Sequence, residues 1–504
     1  MDAMLLALSM LLDPFVLGVI LAAAAVGMVL GAIPGLTATM GIILLIPFIF
    51  YMEPLPAIAA IVALTATAIF SGDIPGALMR IPGTPASAAY TDESYKLAAK
   101  GQAELALGIS LVTASFGGMI GAVVLLVAAP PLAELALKFS SFEYFWLACM
   151  GLSTSIIVTS NDKVKGFISV FIGVLISTVG LDPTSGMPRF TGGSTNLLGG
   201  LHVVPVLVGL YAVSEVIREY SRTDGHEKAL DVEVGNVFKG VGRTLKTYWP
   251  SFFQGNLIGA FLGALPGAGA DIASWIAYAV SKKLSREPEK FGTGHPEGIV
   301  AAGAANNSAI SSAYVPTMAF GIPGDSLTAI VIGVLFVKGL NPGPTVFLNQ
   351  PELVYAIIFS FFIANLVMIP MGFVVIKIAK NIVLVPRTIL MPMVIVFAAV
   401  GAFAATNAEF SLMVLVGMGI LGWLMEANDI PIAPAVLGMI LGPLIEENLL
   451  KSLLISNGSF GPFFERPIAG FLAVATLVVI LVPALLYLKN VVRPKVPEEL
   501  DSSD

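Results

Sequence analysis

Three aspartates, Asp73, Asp271 and Asp325, stand beside Pro-Gly pairs in otherwise apolar sequence. Ionisable side chains in such surroundings are costly and mark substrate or ion paths. Four Pro-Gly pairs carry polar neighbours: Leu36, Thr37 and Thr39 follow Gly35; Thr84 and Ser87 follow Gly83; Ala268 and Gly269 follow Gly267; Asp325 and Ser326 follow Gly324. A Pro-Gly pair stops a helix, since proline lacks the donor and clashes with the preceding turn. The helix that restarts points its first N–H groups back at the break, with roughly half a positive charge, which suits an anion. The carbonyl end of the preceding half-helix suits Na⁺. Substrate-binding candidates are therefore Gly35, Leu36, Thr37, Gly83, Thr84, Ser87, Gly267, Ala268, Gly269, Asn306, Gly324, Asp325 and Ser326. Candidates for ion coupling are Thr39, Asp73, Asp271, Asn307 and Ser311.

Plainer roles exist for several of these residues. Asp271, just past Pro266-Gly267, also suits a helix cap. The amides of Asn306 and Asn307 can tie helices together, at about 0.6–2 kcal/mol per contact. Arg80 lies between Pro75 and Pro82 and is expected to anchor the broken segment by pairing with Asp73. Gly117 and Gly121 have the spacing of close helix packing, and Trp146, Trp249, Trp275 and Trp423 read as interfacial anchors.

The elements that hold these residues come in pairs. Gly31-Ala32-Ile33-Pro34-Gly35 returns about 230 residues later as Gly263-Ala264-Leu265-Pro266-Gly267. Pro75 precedes Pro82-Gly83 by seven residues, and Pro316 precedes Pro323-Gly324 by the same interval. Ser71 and Ser312, Ile74 and Val315, and Ile81 and Ile322 also correspond. Paired interruptions in two halves point to a transporter binding site.

Of 504 residues, 57% are hydrophobic and only 12% charged, with mean hydropathy +0.91, too little charge for a water-soluble domain. Apolar stretches of about 20 residues recur throughout, the length that spans a bilayer as a helix. No period-2 alternation supports a β-barrel. The single Cys149 excludes an internal disulfide, and His202, His226 and His295 are scattered. The expected fold is an all-α polytopic membrane protein of about 12 transmembrane helices plus re-entrant helical hairpins, in two inverted-topology repeats.

Residues 1–220 read as the first repeat, with a hairpin at 15–50, a broken helix at 55–92, non-helical from Ser71 to Asp92, and scaffold helices to 219. Residues 221–246, with five basic and four acidic side chains, form a polar inter-repeat loop. Residues 247–450 form the second repeat, with a hairpin at 250–283 and a broken helix at 297–338, unwound around Ser311 to Ser326. Residues 451–504 hold a C-terminal helix and charged tail. The polar loop and the basic 282–297 loop are expected in the cytoplasm by the positive-inside rule. The apolar N-terminus lacks the charged start of a signal peptide and reads as a peripheral helix or a lead-in to the first span.

At these motifs the chain resembles the large membrane subunit of the tripartite tricarboxylate transporter family. The resemblance rests on Gly31 to Leu36, Ser71 to Gly76, Ile81 to Thr84, Gly263 to Gly269, Asn306-Asn307-Ser308 and Phe320 to Ser326. One stretch departs from the pattern: Thr91-Asp92-Glu93-Ser94-Tyr95-Lys96 stands where relatives often read Thr-x-Asp-Gly-Tyr-Pro. The resemblance implies a multi-pass importer of di- and tricarboxylates in the bacterial inner membrane. It implies three partners: a periplasmic solute-binding protein, a small four-helix membrane subunit and the carboxylate itself. It also implies Na⁺ or H⁺ as coupling ion, with no other cofactor and no enzymatic activity. The sequence contains no Gly-x-x-x-x-Gly-Lys-Ser/Thr phosphate loop. Two other readings are a passive anion channel and an intramembrane aspartyl protease. Gly267-Ala268-Gly269-Ala270-Asp271 has one residue too many for the protease motif.

Overall fold

A computed structural model describes residues 2–159, 162–221, 230, 235–267, 269–383 and 387–492. Helix α1 (Asp2–Leu11) leads into α2 (Pro14–Ala32). Pro14 starts α2 with its preset φ, and Asp13 Oδ1 caps it by accepting from the Phe15 N–H at 2.8 Å. Ile33, before Pro34, is extended and ends the helix. Helix α3 (Ala38–Ile49) completes the first hairpin. Then come α4 (Pro54–Ser71), α5 (Asp73–Met79) and α6 (Ala88–Leu97).

The expected non-helical stretch from Ser71 to Asp92 is much narrower. Gly72 keeps right-handed helical backbone, so α5 continues α4 through a joint, and only residues 80–87 leave the helix. Pro75 is the third residue of α5, where a missing N–H loosens the joint without ending the chain's helical course. The second half repeats this correction. Helix α15 (Pro296–Ser312), reached through α12 (Val241–Thr247), α13 (Trp249–Gly263) and α14 (Gly269–Leu284), continues as α16 (Tyr314–Phe320). The unwinding expected from Ser311 is confined to 321–325, ahead of α17 (Ser326–Val337).

The remaining helices are longer. Helix α7 (Ala103–Ala136) follows α6 through a π turn. Helices α8 (Ser141–Thr159) and α9 (Lys163–Ser177) precede a small hairpin, then α10 (Val203–Val208) and α11 (Ser214–Ser221), which a π turn fuses into one run. After the short α18 (Val346–Asn349) come α19 (Pro351–Val383), α20 (Arg387–Ala404), α21 (Phe410–Ala427) and α22 (Ile432–Ile455). The short α23 (Pro462–Glu465) leads into α24 (Pro467–Val492). Six of the described helical stretches are long and apolar enough to cross a bilayer, and four apolar ones are shorter. The chain is a helical multi-pass membrane protein. Part of the polar segment 221–246 (222–229 and 231–234) and the tail from 493 lie outside the described residues.

Helices α4 and α15 form the centre. Nearly every residue of α4 and every residue of α15 after Pro296 is buried. Each carries the first arm of its own hairpin through the same contacts. A Cβ on Gly27 would lie 2.4 Å from Leu64 O, and one on Gly259 2.4 Å from Ala305 O. A Cβ on Gly31 or Gly263 would lie 2.3 Å from Ala68 O or Ala309 O. Thr67 Oγ1 donates to Ala24 O at 3.0 Å, and Ser308 Oγ donates to Asn256 O at 3.1 Å. These pairs keep a constant shift, 232 residues on the hairpin arms and 241 on the central helices. Helix α7 approaches α15 as closely, through Gly117 against Ala304 O and Gly121 against Ser308 O, as their spacing predicts.

Small residues let helix backbones meet where lipid offers no hydrophobic drive for association. Gly259→Val is expected to cost about 3 kcal/mol by overpacking against Ala305. The check is its unfolding midpoint in detergent beside that of Gly18→Val, whose Cβ would meet nothing within 4 Å. Equal midpoints would contradict this packing.

Candidate transport site

Both breaks end and restart their helices in the same way. Arg80 (φ 60°) and Gly321 (φ 71°) occupy left-handed backbone at matching positions. Each donates its N–H back into the preceding turn, Arg80 to Gly76 O at 3.2 Å and Gly321 to Thr317 O at 3.1 Å. Thr84 and Ser87 then exchange hydrogen bonds ahead of α6: the Thr84 N–H donates to Ser87 Oγ at 3.1 Å, and the Ser87 N–H to Thr84 Oγ1 at 3.0 Å. Asp325 and Thr328 do the same ahead of α17, at 2.9 and 2.8 Å. Gly83 presses on Gly72, donating to its carbonyl at 3.1 Å, and Gly324 presses on Ala313.

The second hairpin turn reaches the second break. Gly267 (φ 76°) donates its N–H to Pro323 O at 3.3 Å, and a Cβ there would lie 2.5 Å from Gly151 O on α8. Gly269 (φ 70°) lies against Asp325, with 3.2 Å between a Cβ built on it and the Asp325 Cβ. Ala268 lies outside the described residues. The first turn has Gly35 at φ 91° and Thr37 as the cap of α3, accepting from the Met40 N–H at 3.3 Å. Helix α3 packs on α17, the helix that starts at the second break.

Asp271, in the first turn of α14, is exposed. Asp325 and the turn between Thr84 and Ser87 lie near its carboxylate. Ser326 is half-buried beside the Tyr211 hydroxyl, and Asp325 also acts on Tyr314, whose buried hydroxyl has no partner. No Lys, Arg or His faces Asp271 or Asp325 among the described residues. The second hairpin tip thus meets the second break, Gly267 at Pro323 and Gly269 at Asp325.

Other candidates sit apart from these contacts. Asp73 is buried and accepts from Tyr90 OH at 2.6 Å, and Asn306 Nδ2 donates to the same hydroxyl at 3.3 Å. Arg80 does not anchor through Asp73 as expected; it is exposed and pairs with Asp92 at 2.7 Å. Burial and the Tyr90 hydroxyl settle Asp73 within the core instead. Asn307 Nδ2 donates to Ala66 O at 3.3 Å, where α4 and α15 cross. The carbonyl oxygens of Asn306 and Asn307 remain buried without partners. Ser311 packs on Gly121, and Thr39 is half-buried in the first turn of α3. Leu36 lines an apolar cavity of about 400 Å³ between α2, α3 and α20, with Leu45, Phe48 and Phe397. Its wall offers almost no polar group, so it cannot hold a carboxylate.

Tyr90, Tyr211, Tyr314 and Glu93 were not signalled by the Pro-Gly pattern. Only Tyr314 had a sequence cue, since it occupies the position of Asp73 in the second half. Glu93, from the stretch that departs from the family pattern, joins the halves. It accepts from Tyr278 OH at 2.8 Å, from the Gly294 and His295 amides at 2.6 and 2.7 Å, and from the Gly292 amide. Lys96 and Lys100 add bonds to Gly292 O and Thr293 O.

A profile of the tripartite tricarboxylate transporter TctA family matches residues 17–437. The chain belongs to that family. It is 32% identical over 462 residues to an uncharacterized 52.8 kDa protein in the TAR-I ttuC' 3' region of Agrobacterium vitis, covering 91% of this chain and 92% of that one. It is also 35% identical over 227 residues to an uncharacterized protein in the TAR-II ttuC' 3' region of the same organism, covering 45% of this chain and 94% of that one. No solved structure matches. The matched stretch of this TctA chain contains all the breaks and the Glu93 junction.

Glu93→Gln removes the charge and half the acceptor capacity that four donors share. A hydrogen bond to a charged group contributes about 1.5–3 kcal/mol. The variant is expected to unfold earlier in detergent by about that amount; an unchanged midpoint would contradict the junction.

Proposed function

We propose that this TctA-family chain is the large membrane subunit of an ion-gradient-driven importer of di- or tricarboxylates. It works with a periplasmic solute-binding protein and a small four-helix membrane subunit in the bacterial inner membrane. The observation that carries the reading is the pair of helix breaks with the same backbone turn and the same reciprocal cap, reached by a hairpin tip. Broken helices that face one another across a repeat interface are the usual setting of a secondary transporter site.

The two halves, 1–220 and 247–450, act as inverted repeats joined by the cytoplasmic loop 221–246, with 451–504 appended. Each contributes a hairpin (15–50, 250–283) and a broken helix (55–92, 297–338), and further helices bring the crossings to about 12. The substrate's carboxylates are received at Gly35–Thr37, Gly83–Ser87, Gly267–Gly269 and Gly324–Ser326, with Asn306 at the crossing. Na⁺ or H⁺ is held by Thr39, Asp73, Asp271, Asn307 or Ser311. The core of hairpins and broken helices moves against the remaining helices to alternate access. No further cofactor takes part.

The test is uptake of labelled citrate, succinate and malonate into proteoliposomes holding the subunits and the binding protein. Concentrative uptake is expected only with an imposed Na⁺ or pH gradient, and the gradient that supports it names the ion. Gly267→Leu, which must clash with Gly151, is expected to abolish uptake while still inserting. Uptake that only equilibrates, with no response to either gradient, would make the chain a passive channel.

A further inference from the structure

We propose that the apolar cavity beside the first hairpin is a binding site for one acyl chain of a membrane phospholipid, with the end of the chain against the hairpin turn. The inference goes beyond the importer reading and stands whether or not that reading holds.

The cavity follows from how the first hairpin meets its neighbours. Helix α2 lies on α4 through Gly27 and Gly31. Helix α3 meets α20 near its far end, where a Cβ on Gly401 would lie 3.2 Å from Pro47 and the rings of Phe48 and Phe397 pair at 5.7 Å. From these rings a space of about 400 Å³ runs between α2, α3 and α20 to Leu36, the residue after Gly35 in the turn. The stretch of α3 beside it, Ala38 to Phe48, is about 15 Å long at about 1.5 Å per residue. Spread over that length, 400 Å³ gives a cross-section of about 27 Å², room for a single hydrocarbon chain.

The walls decide the occupant. The space has a mouth of exposed residues, Ala22 and Val26 on α2, Phe48 on α3 and Met393 on α20. Its floor is buried, at Ala23, Leu36, Ala60 and Val394. Helices α2 and α4 are among the stretches long and apolar enough to cross a bilayer, so the mouth opens on hydrocarbon. Water is excluded, because a buried water needs two to four polar partners and this wall has almost none. The volume is more than twice the roughly 150 Å³ of an engineered apolar cavity that stays dry and takes up benzene. Left empty, it would forfeit the dispersion contacts of its whole lining. A helix of a partner subunit, about 10–12 Å across with its side chains, is too wide. An acyl chain fits in width and chemistry, and the surrounding membrane supplies it. The second hairpin tip has protein behind it, Gly267 against Gly151 O on α8. Leu36 shows that the first has hydrocarbon at its side.

The experiment uses the full chain in vesicles of phosphatidylethanolamine and phosphatidylglycerol, part of whose acyl chains carry a diazirine near the terminal methyl. Adducts formed on illumination are mapped by peptide mass spectrometry. They are expected on Leu36 and Ala60, each 1% exposed and out of reach of lipid on the outer surface. They are also expected on Leu257 and Phe261, which are exposed on α13, but not on Leu64 or Ala305, which are buried away from the cavity. Val26→Trp and Met393→Trp each narrow the mouth. Each is expected to lower the adducts on Leu36 and Ala60 about tenfold, as excluding two methylenes would, with Leu257 labelled as before. The same floor labelling is expected in the transporter assembled with its small subunit and binding protein. Leu36 and Ala60 free of label beside a labelled Leu257 overturn the proposal. So does floor labelling that neither tryptophan reduces. Labelling that disappears on assembly gives the cavity to a partner's side chains and overturns it as well.

Discussion

Backbone amides and carbonyls cannot be left unmet in a bilayer, and this constraint explains most of what is seen. Each unsatisfied group costs several kcal/mol in hydrocarbon. The chain nevertheless interrupts its helices near the middle of long apolar stretches. It does so with the fewest exposed groups: left-handed turns at Arg80 and Gly321 return their N–H groups to the preceding helix, and reciprocal caps at Thr84–Ser87 and Asp325–Thr328 take up the next ones. Close to the second break Asp271 is exposed, and Ser326 and Tyr211 are half-buried.

Such breaks need a rigid support, and the glycine contacts supply it. The first arm of each hairpin lies directly on its central helix, carbonyl against glycine, at Gly27, Gly31, Gly259 and Gly263. Side-chain entropy is small in such a seam, and dispersion contacts are dense. The tips therefore keep their place relative to the breaks. At the other end, Glu93 ties α6 to the loop before α15, so that the halves are joined on that side by a buried carboxylate.

The breaks were legible because proline and glycine act locally: Pro34, Pro82, Pro266 and Pro323 each sit where a helix stops. Pro75 and Pro316 misled, because near the start of a short helix proline loosens a joint that neighbours hold in helical form. Asp73 attracted attention as an ionisable residue, yet Tyr90, seventeen residues on, satisfies it in the core. Such a partner depends on how α6 folds back, which no spacing reveals. The glycine seam, by contrast, was present in the sequence as Gly27, Gly31, Gly255, Gly259 and Gly263 at intervals of four.

The central claim is that the breaks line a space open to water and not to lipid. Cysteine labelling by a charged, membrane-impermeant methanethiosulfonate tests it most directly, with Cys149 first replaced by serine. Ser326→Cys and Thr39→Cys are predicted to react from one aqueous side and to be protected by a bound carboxylate, while Val26→Cys in the apolar cavity stays inert. Cysteines at 326 and 39 that resist the reagent from both sides of the membrane would contradict the account.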